Sequence, residues 1–525
     1  MSATRSEAHG TPSRSEAHGT PSRSEAQGIQ FPLDASGKRS SAAVGRQILA
    51  AALAELDAAA ADACRAERAW RHAYPQHLRR LVELQAAAPQ RCVAACRAGL
   101  EAAWHSLEFV RDGQPLPLRE AMSAPRAAPL RTLRLRGSGA AAPARWEVPY
   151  KGRRLAGDAL ARRIDAWAAA GVIEASAAQA LHLARSHPQW FDLSDRHLVL
   201  LGAGSEAGPL AWLASWRANI VAIDLPRAAT WKRIAQRIAA GNGQLIAPLA
   251  SSAAPGGDAQ QDAQLAGGDM LARTPELAAW LRSLGVPLDL LAIAYLDGEK
   301  HVRVSLAMDA LVDACLAADA RTSCAWMATP TDVFAVPQPL AEAVMRAYHD
   351  RDAWKRLAQA GLRAGSGGRS FVPHIEALVD AGDGSRWGIA DCLVIEQGPN
   401  YALAKRLQQW RALDARERGH VASINVAPST TTASVLSNPA LAAGFRGAKA
   451  FDIEVFAPDT TNALMAAMWV HDLRNPQGSA QPQVPLAHPL QLVSDGAIHG
   501  GLWRVPYLPR SVLPFAALLG LMKRR

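Results

Sequence analysis

A strand, a glycine-rich turn, a short apolar helix and a second strand follow one another between residues 197 and 223. The apolar runs 197–201 and 219–223 predict the two strands, and the apolar stretch 209–216 predicts the helix between them. This succession, within about 30 residues, is the βαβ unit. Because the two strands of such a unit run parallel, it constrains the chain to a sheet with crossover helices.

Further apolar runs extend this pattern, and helical runs separate most of them. The additional runs predicted as strands are 244–248, 288–294, 323–327, 392–395 and 420–426. Alternating strands and helices indicate a mainly parallel sheet covered on both faces. The predicted fold is therefore α/β, a Rossmann-like doubly wound parallel sheet.

The first part of the chain predicts two regions outside this sheet. Residues 1–41 contain a nine-residue repeat, Arg-Ser-Glu-Ala-His-Gly-Thr-Pro-Ser, that is almost free of apolar side chains. Such a segment cannot bury a core, so we predict a disordered tail. Residues 42–111 carry apolar side chains at helical spacing, which predicts an all-helical region of three helices, broken near Pro75 and at Pro89.

The remaining segments surround the predicted sheet. Residues 112–150 are rich in Pro, Arg and Gly, which predicts a linker. Residues 151–510 form the predicted Rossmann-like domain, with an insertion at about 337–395. Residues 511–525 are an apolar and basic tail, which we interpret as a docked C-terminal helix, with contact to a membrane surface as the alternative.

Charge and cysteine content limit the partners and the compartment. The formal net charge is +10, but the arginines are scattered over predicted helices rather than gathered in one tract. We therefore expect no nucleic acid as a partner. The six cysteines lack the spacing of a disulfide scaffold or a zinc site, and no apolar secretory signal is visible. These features predict a cytoplasmic protein without a metal.

The turn of the βαβ unit reads Gly-Ala-Gly-Ser-Glu-Ala-Gly from Gly202 to Gly208. Glycines there permit a tight bend, let the backbone approach a pyrophosphate and let the helix pack close to the strand, where its N-terminus attracts the anion. Asp224 follows 22 residues after Gly202, where a carboxylate can bind ribose hydroxyls. The predicted nucleotide contacts are Gly202, Gly204, Ser205, Glu206, Gly208 and Asp224. Nicotinamide cofactors and S-adenosylmethionine share this arrangement, so the segment leaves both open.

A tyrosine and a lysine form the next candidate. Tyr401 and Lys405 are four residues apart, so on a helix they share one face and point into one cleft. A nearby cation lowers the pKa of a phenol and lets it exchange a proton with an alcohol or carbonyl oxygen. This spacing is common by chance, so its weight depends on the segments around it.

Several segments together resemble the short-chain dehydrogenase/reductase superfamily. Asn-Tyr-Ala-Leu-Ala-Lys at 400–405 looks like that family's catalytic Tyr-x-x-x-Lys helix. Residues 419–428, with the Ser-Thr-Thr-Thr that follows, are similar to the strand and Pro-containing loop beside the nicotinamide. Upstream, 268–281 and 288–294 resemble the segments around the family's third and fourth strands.

This resemblance implies NAD or NADP as cofactor and roles for individual residues. Tyr401 would act as the acid/base, and Lys405 would lower its pKa and bind the nicotinamide ribose. Asp269 would lie near the adenine. Pro428 and Thr431 would belong to the loop that contacts the nicotinamide.

The chain departs from the family's pattern at three places. Ala-Tyr-Leu-Asp at 294–297 replaces the family's Asn-rich ending of strand four. Glu206 stands where the family has a glycine. The family's catalytic serine lies shortly before the tyrosine, whereas here the insertion separates the predicted fifth strand from Tyr401. Thr329 or Thr331, which follow that strand, would supply the hydroxyl, or the role is unfilled.

The preferred interpretation is an NAD(P)-dependent oxidoreductase of the short-chain type, acting on a carbonyl or alcohol substrate. Asp224 would repel a 2′-phosphate, which favours NAD, while Arg227 and Lys232 keep NADP open. The alternatives are an S-adenosylmethionine-dependent methyltransferase and a non-catalytic Rossmann-fold binding protein. The sequence leaves the substrate's identity and the oligomeric state open.

Two further groups are candidates for the substrate cleft. Asp297 and His301 lie near a predicted strand end, although a surface loop is the simpler interpretation. His499, Trp503 and Tyr507 could close over a substrate, although packing of this segment onto the core is preferred.

Overall fold

A computed structural model describes residues 27–123, 129–253, 256, 258–436 and 439–522 of the chain. Most of the nine-residue repeat precedes residue 27, so residues 1–26 of the predicted disordered tail lie outside the described residues. The prediction is wrong for residues 28–31, because Gly28–Gln30 form a paired, buried strand and Phe31 is fully buried. The strands are β1 (Gly28–Gln30), β2 (Glu108–Arg111), β3 (Gln114–Pro117), β4 (Arg131–Arg136), β5 (Val148–Tyr150), β6 (Arg153–Leu155), β7 (His197–Leu201), β8 (Asn219–Ile223), β9 (Gln244–Leu249), β10 (Asp289–Ala292), β11 (Ser323–Ala328), β12 (Val333–Pro337), β13 (Leu378–Asp380), β14 (Arg386–Asp391) and β15 (Ala422–Val426). The helices are α1 (Ser41–Ala54), α2 (Ala58–Ala66), α3 (Trp70–Ala87), α4 (Pro89–Ser106), α5 (Leu118–Ser123), α6 (Gly157–Ala169), α7 (Ala175–Ser186), α8 (Leu210–Ser215), α9 (Ala228–Ala240), α10 (Ala259–Asp262), α11 (Thr274–Ser283), α12 (Glu299–Ala318), α13 (Gln338–His349), α14 (Ala353–Gly365), α15 (Pro399–Glu417), α16 (Ala433–Leu436), α17 (Pro439–Gly447), α18 (Pro458–Arg474), α19 (Gln491–Ser494) and α20 (Pro509–Met522).

The largest sheet has seven strands in the order β15-β11-β10-β7-β8-β9-β4. Neighbouring strands from β15 to β9 pair in parallel, and β4 pairs antiparallel with β9 at the edge. Numbered along the chain, the parallel strands have the order 3-2-1-4-5-6 of doubly wound dinucleotide-binding folds. The predicted α/β fold with a mostly parallel, Rossmann-like sheet is confirmed.

Alternate side chains of the strands enter two separate cores. Val199 and Leu201 of β7 pack with side chains of α1, α3, α4, α11, α12 and α15 on one face. Leu198 and Leu200 pack with side chains of α6, α7, α8, α9 and α18 on the other. Full burial of such a side chain contributes about 1.5–3 kcal/mol, so the continuous apolar runs are explained by burial on both faces.

The region predicted as all-helical contains four helices and ends in a strand. The predicted break near Pro75 is wrong, since Pro75 lies inside α3. The chain instead turns before α2, where the Asp57 carboxylate accepts two backbone N–H groups as N-cap. A Cβ added to Gly99 would lie 2.3 Å from the Trp410 ring, so α4 packs directly on α15.

The segment predicted as a linker contributes β4, the edge strand of the main sheet. Its alternating Arg-Thr-Leu-Arg-Leu-Arg places charged side chains on an edge that no further described strand covers. The insertion region forms a second sheet, β12-β14-β13. The predicted strand at 392–395 is wrong, because β14 ends at Asp391 and the buried residues after it make no ladder.

The C-terminal helix α20 lies against α17. A Cβ added to Gly447 would lie 1.7 Å from the Ala516 carbonyl oxygen, and one added to Gly520 would lie 2.0 Å from the Ala443 oxygen. Glycine is therefore required at both crossing points. Within the described ranges, no helix is both long enough and apolar enough to cross a membrane.

Candidate functional site

The candidate residues lie on loops that leave the carboxyl ends of the parallel strands. The strand order reverses between β7 and β10, whose residues Leu201 and Ala292 are paired. Ligands of open α/β sheets bind in the crevice at such a reversal. The loops after β7, β8, β10, β11 and β15 are therefore the ones that can form a site.

The conformation of Gly202 is required by its neighbours in the protein. Its φ is +100°, which side chains rarely adopt, and an added Cβ would lie 2.7 Å from the Ala294 Cα atom. Gly208 is also crowded, since its Cβ would meet the Ile293 side chain at 2.9 Å. Both glycines fit the loop after β7 against the loop after β10.

Most N–H groups of the glycine-rich loop are bonded within the protein. Those of Gly202 and Ala203 donate to the Ile223 carbonyl at 2.9 and 3.1 Å. The Ser205 N–H donates to the Gly202 oxygen at 3.0 Å, and the Gly208 N–H donates to the Ser205 oxygen at 3.1 Å. These donors are therefore not available to a pyrophosphate in this conformation.

The helix after this loop is shorter than expected. The sequence predicts it over 209–216, and α8 covers only Leu210–Ser215, six residues. A helix dipole grows from aligned peptide units, so α8 adds little attraction for an anion. Glu206, at the position where a glycine was expected, is exposed, and its carbonyl accepts a hydrogen bond from the Asn462 amide at 2.9 Å.

Asp224 ties the loops after β7 and β8 together. Its Oδ2 accepts the Gly204 N–H at 2.7 Å, and its Oδ1 accepts the Leu225 N–H at 2.8 Å. A carboxylate has about four acceptor positions, so two remain for ribose hydroxyls. Gly204 is exposed, so a ligand can approach this carboxylate. The residues fit the ribose end of a dinucleotide better than its phosphates.

Asp269 follows Gly268, which contacts the Asp224 backbone at the carboxyl edge of the sheet. The Gly268 N–H donates to the Asp224 carbonyl at 2.9 Å. The Asp269 carboxylate caps the next turn, accepting the Leu271 N–H at 2.8 Å. The two acidic residues thus follow β8 and β9 at the same edge of the sheet.

Four candidate residues come together at the end of β11. Tyr401 and Lys405 stand on the first two turns of α15, and the Tyr401 phenol lies beside the Thr329 side chain. The Thr329 and Thr331 hydroxyls are 2.9 Å apart. The Lys405 ammonium donates to the Met327 carbonyl at 3.3 Å. The residues between β11 and α15 form the separate sheet β12-β14-β13, so α15 brings Tyr401 back beside the end of β11, where Thr329 and Thr331 lie.

Burial changes the protonation of this group. It raises the pKa of Tyr401, an effect that the adjacent Thr329 side chain opposes. Burial lowers the pKa of Lys405 to about 8, although the nearby Asp332 carboxylate favours its charged form. Lys405 is therefore a cation at neutral pH and exchanges its proton just above it.

His301 belongs to the same group, and its interpretation as part of a surface loop is wrong. It is only 1% exposed, because its ring stacks on Tyr401 at 5.3 Å between centroids and contacts Tyr295 at 4.8 Å. Burial, followed by the charge of Lys405, lowers the pKa of His301 to about 3. Asp297 is exposed and accepts the Tyr295 hydroxyl at 2.9 Å.

The loop after β15 is held by the segment before α18. The Thr431 N–H and hydroxyl both donate to the Phe456 carbonyl, at 3.0 and 3.3 Å. Pro428 is buried, and its carbonyl accepts the Thr430 hydroxyl at 2.9 Å. This loop is therefore fixed in place before any ligand binds.

The 499–507 segment packs onto the core, which is the interpretation that the sequence favoured. His499 is fully buried, with its Nε2 2.8 Å from Glu174 Oε1, and Arg504 forms an ion pair with the same carboxylate at 2.6 Å. Although burial opposes ionisation, the His499 and Arg504 contacts hold the pKa of Glu174 at about 2. Trp503 and Tyr507 are also buried.

A cavity that the sequence does not predict lies beside the edge strand β15. It has a volume of about 240 Å³ between α7, β15 and α18. Asp472 on its wall accepts Ser423 and Asn425 side chains at 2.6 and 2.7 Å and pairs with His471 at 2.9 Å. Among the described residues, no buried polar side-chain atom of its wall lacks a partner. Its polar groups are explained by contacts within the protein.

Comparison with known proteins adds no assignment. The chain matches no known protein-family model, and a search of curated proteins finds none that matches it. In the part of the chain that the structure describes, no group of three or more His, Cys, Asp or Glu side chains is arranged to hold a metal ion.

Proposed function

We propose that the protein is an NAD(P)-dependent oxidoreductase that interconverts an alcohol and a carbonyl group of a small molecule. The observation that carries this proposal is the contact of Tyr401 with Thr329, with Lys405 one helical turn further along α15. An acid/base, a second hydroxyl and a cation at one strand end are the groups that this proton transfer needs.

Tyr401 and Thr329 would act on the reacting oxygen. In the oxidation direction, the Tyr401 oxygen accepts the proton of the substrate hydroxyl, and in reduction it returns that proton to the carbonyl oxygen. Thr329 would donate a hydrogen bond to the same oxygen, and the Lys405 cation, one helical turn away, would favour the phenolate by its charge. The nicotinamide, when bound, supplies the position that accepts or gives the hydride.

Asp224 would hold the adenosine ribose through its two remaining acceptor positions. Its negative charge would repel a 2′-phosphate, which favours NAD, while the nearby Arg227 and Lys232 leave NADP as the second choice. The six cysteines in the described residues are free and buried, which supports a reducing compartment, and we propose the cytoplasm.

Melting in the presence of NAD, NADP and S-adenosylmethionine tests the cofactor. A ligand that binds only the native state raises the melting temperature, so NAD should raise it and S-adenosylmethionine should not. A rise with S-adenosylmethionine alone would instead favour a methyltransferase. No rise with any of them at millimolar concentration would contradict both and favour a non-catalytic binding protein.

Tyr401→Phe tests the chemistry. It should abolish turnover, while NAD still raises the melting temperature, because it removes only the proton-carrying oxygen. Tyr348→Phe is the matched control, since Tyr348 donates its hydroxyl to the Phe371 carbonyl at 3.2 Å in a different part of the fold. Equal activity of the two variants would overturn the proposal.

A further inference from the structure

A small cavity opens at the first turn of α15, beside the proposed catalytic tyrosine. Its volume is about 90 Å³. Its wall includes Arg71, Tyr295, His301, Gln397, Asn400 and Tyr401. A water molecule occupies about 30 Å³ of liquid, so the space suits one compact chemical group and not a nucleotide.

Three buried polar atoms on this wall have no hydrogen-bond partner among the described residues. They are both ring nitrogens of His301 and the Nε2 of Gln397. The Gln397 Oε1 accepts the Val394 N–H at 3.4 Å, which orients the amide so that its NH₂ is the unpaired end. A buried polar group without a partner costs about 1–3 kcal/mol, so their concentration at one cavity points to a ligand that satisfies the Gln397 NH₂ and one nitrogen of His301.

The first turn of α15 and the Arg71 guanidinium favour an anion at this cavity. The N-cap of α15, Gly398, supplies no side-chain acceptor, so the N–H groups of Asn400 and Tyr401 in the first turn have no intrahelical partner. The positive end of this 19-residue helix adds to them. Arg71 is exposed at the same place and forms no ion pair with any described residue. An added Cβ on Gly398 would lie 2.3 Å from Arg71 Nη1, which places the guanidinium over the helix end.

We propose that this cavity binds a compact oxyanion, a carboxylate or a phosphate group, between Arg71, His301, Gln397 and the first turn of α15. The Gln397 NH₂, the helix N–H groups and the guanidinium donate to the anion, and the neutral His301 ring contributes one donor. That the anion belongs to the substrate rests on the proposed oxidoreductase function, because Tyr401 lies on both the cavity wall and the proposed reaction site. Binding of the anion itself does not depend on that function.

Binding of sodium acetate and of inorganic phosphate to the full chain tests the site, with sodium chloride at matched ionic strength as reference. Calorimetry should detect one site for at least one of the two anions. Arg71→Ala should raise the dissociation constant of that anion about tenfold or more, which is the loss of affinity expected for one charge-assisted hydrogen bond. Arg68→Ala is the matched control, because Arg68 is exposed three residues earlier and lies outside the cavity wall. It should change the constant less than about twofold, as an exposed charge does.

Gln397→Glu gives a second variant that keeps the side chain's size and replaces its NH₂ by an acceptor. It should abolish anion binding while NAD still raises the melting temperature, which separates this site from the cofactor site.

Phosphate binding without acetate binding assigns a phosphate group, and the reverse assigns a carboxylate. Equal weakening in the Arg71 and Arg68 variants, or no binding beyond that of chloride, would overturn the inference. Anion binding in a protein without dehydrogenase activity would leave this site standing and remove only the proposed function.

Discussion

The loop after β7 and the first turn of α15 both carry polar groups at the carboxyl edge of the sheet, yet they differ in how these groups are used. In the loop, the N–H groups from Gly202 to Ser205 and the Asp224 carboxylate bind one another or the neighbouring strand. At α15, His301 and Gln397 retain buried atoms without partners. A glycine-rich turn can therefore be dictated by packing alone, while unpaired polar atoms indicate where a ligand is needed.

Replacing Gly202 by alanine should have the largest effect on stability. Both the positive φ and the 2.7 Å approach to Ala294 Cα oppose a side chain. We expect a loss of about 3 kcal/mol or more in the free energy of unfolding, measured by urea. Gly285→Ala is the control, since Gly285 has φ +64° with nothing within 4 Å, and should lose only about 1 kcal/mol. Equal losses would mean that the loop is not held by the strand beside it.

Acidification should distinguish His301 from the paired groups of the loop. The pKa of His301 is about 3 in the folded protein, below its ordinary value of 6.5, so the unfolded chain binds the proton first. The contribution of the neutral ring to the free energy of unfolding is therefore fully present above pH 6.5. It decreases by about 1.4 kcal/mol per pH unit as the pH falls towards 3. The wild type should lose about 2 kcal/mol more than His301→Leu between pH 7.5 and 5. Parallel stability curves for the two proteins would contradict the burial of a neutral imidazole.

Replacing Asp224 by alanine should destabilise the protein even without a nucleotide. It leaves the Gly204 and Leu225 N–H groups without their acceptor, a loss of about 1–2 kcal/mol. Asp297→Ala is the control, since this carboxylate is exposed and accepts the Tyr295 hydroxyl at the surface, and it should change the free energy of unfolding by less than about 0.5 kcal/mol. If Asp224→Ala weakened NAD binding without any loss of stability, the carboxylate would serve the ligand and not the loop.

The sequence predicted the sheet well because its strands are buried on both faces. The continuous apolar runs at 197–201 and 219–223 coincide with β7 and β8. The edge strand β4 is harder to predict. An edge strand has one unpaired side, so arginines can alternate with apolar residues along it, and this alternation lacks the continuous apolar run of a buried strand. The segment therefore resembles a linker in the sequence. The run at 392–395 is apolar because it is buried, and an apolar run alone does not fix a ladder.

The sequence predicts some residues of the candidate site and not others, because only local patterns are visible in it. Spacing along one helix predicts that Tyr401 and Lys405 share a face, and position after β11 suggests Thr329. Nothing near His301 in the sequence indicates that Tyr401, a hundred residues later, covers its ring. Burial created by a distant element is a tertiary property. The unpaired nitrogens and the cavity therefore emerge only from the fold.

Replacing His301 by leucine at pH 7.5 should have the smallest effect and the opposite sign to the Asp224 change. Removing a buried polar group that has no partner removes its desolvation penalty, and leucine has a similar size. We expect the free energy of unfolding without ligand to stay the same or rise by up to about 1 kcal/mol. Acetate and phosphate binding should weaken in the same variant, so that stability and binding change in opposite directions. A loss of stability comparable to that of Asp224→Ala would mean that His301 has a partner within the fold, and the contrast between the two regions would fail.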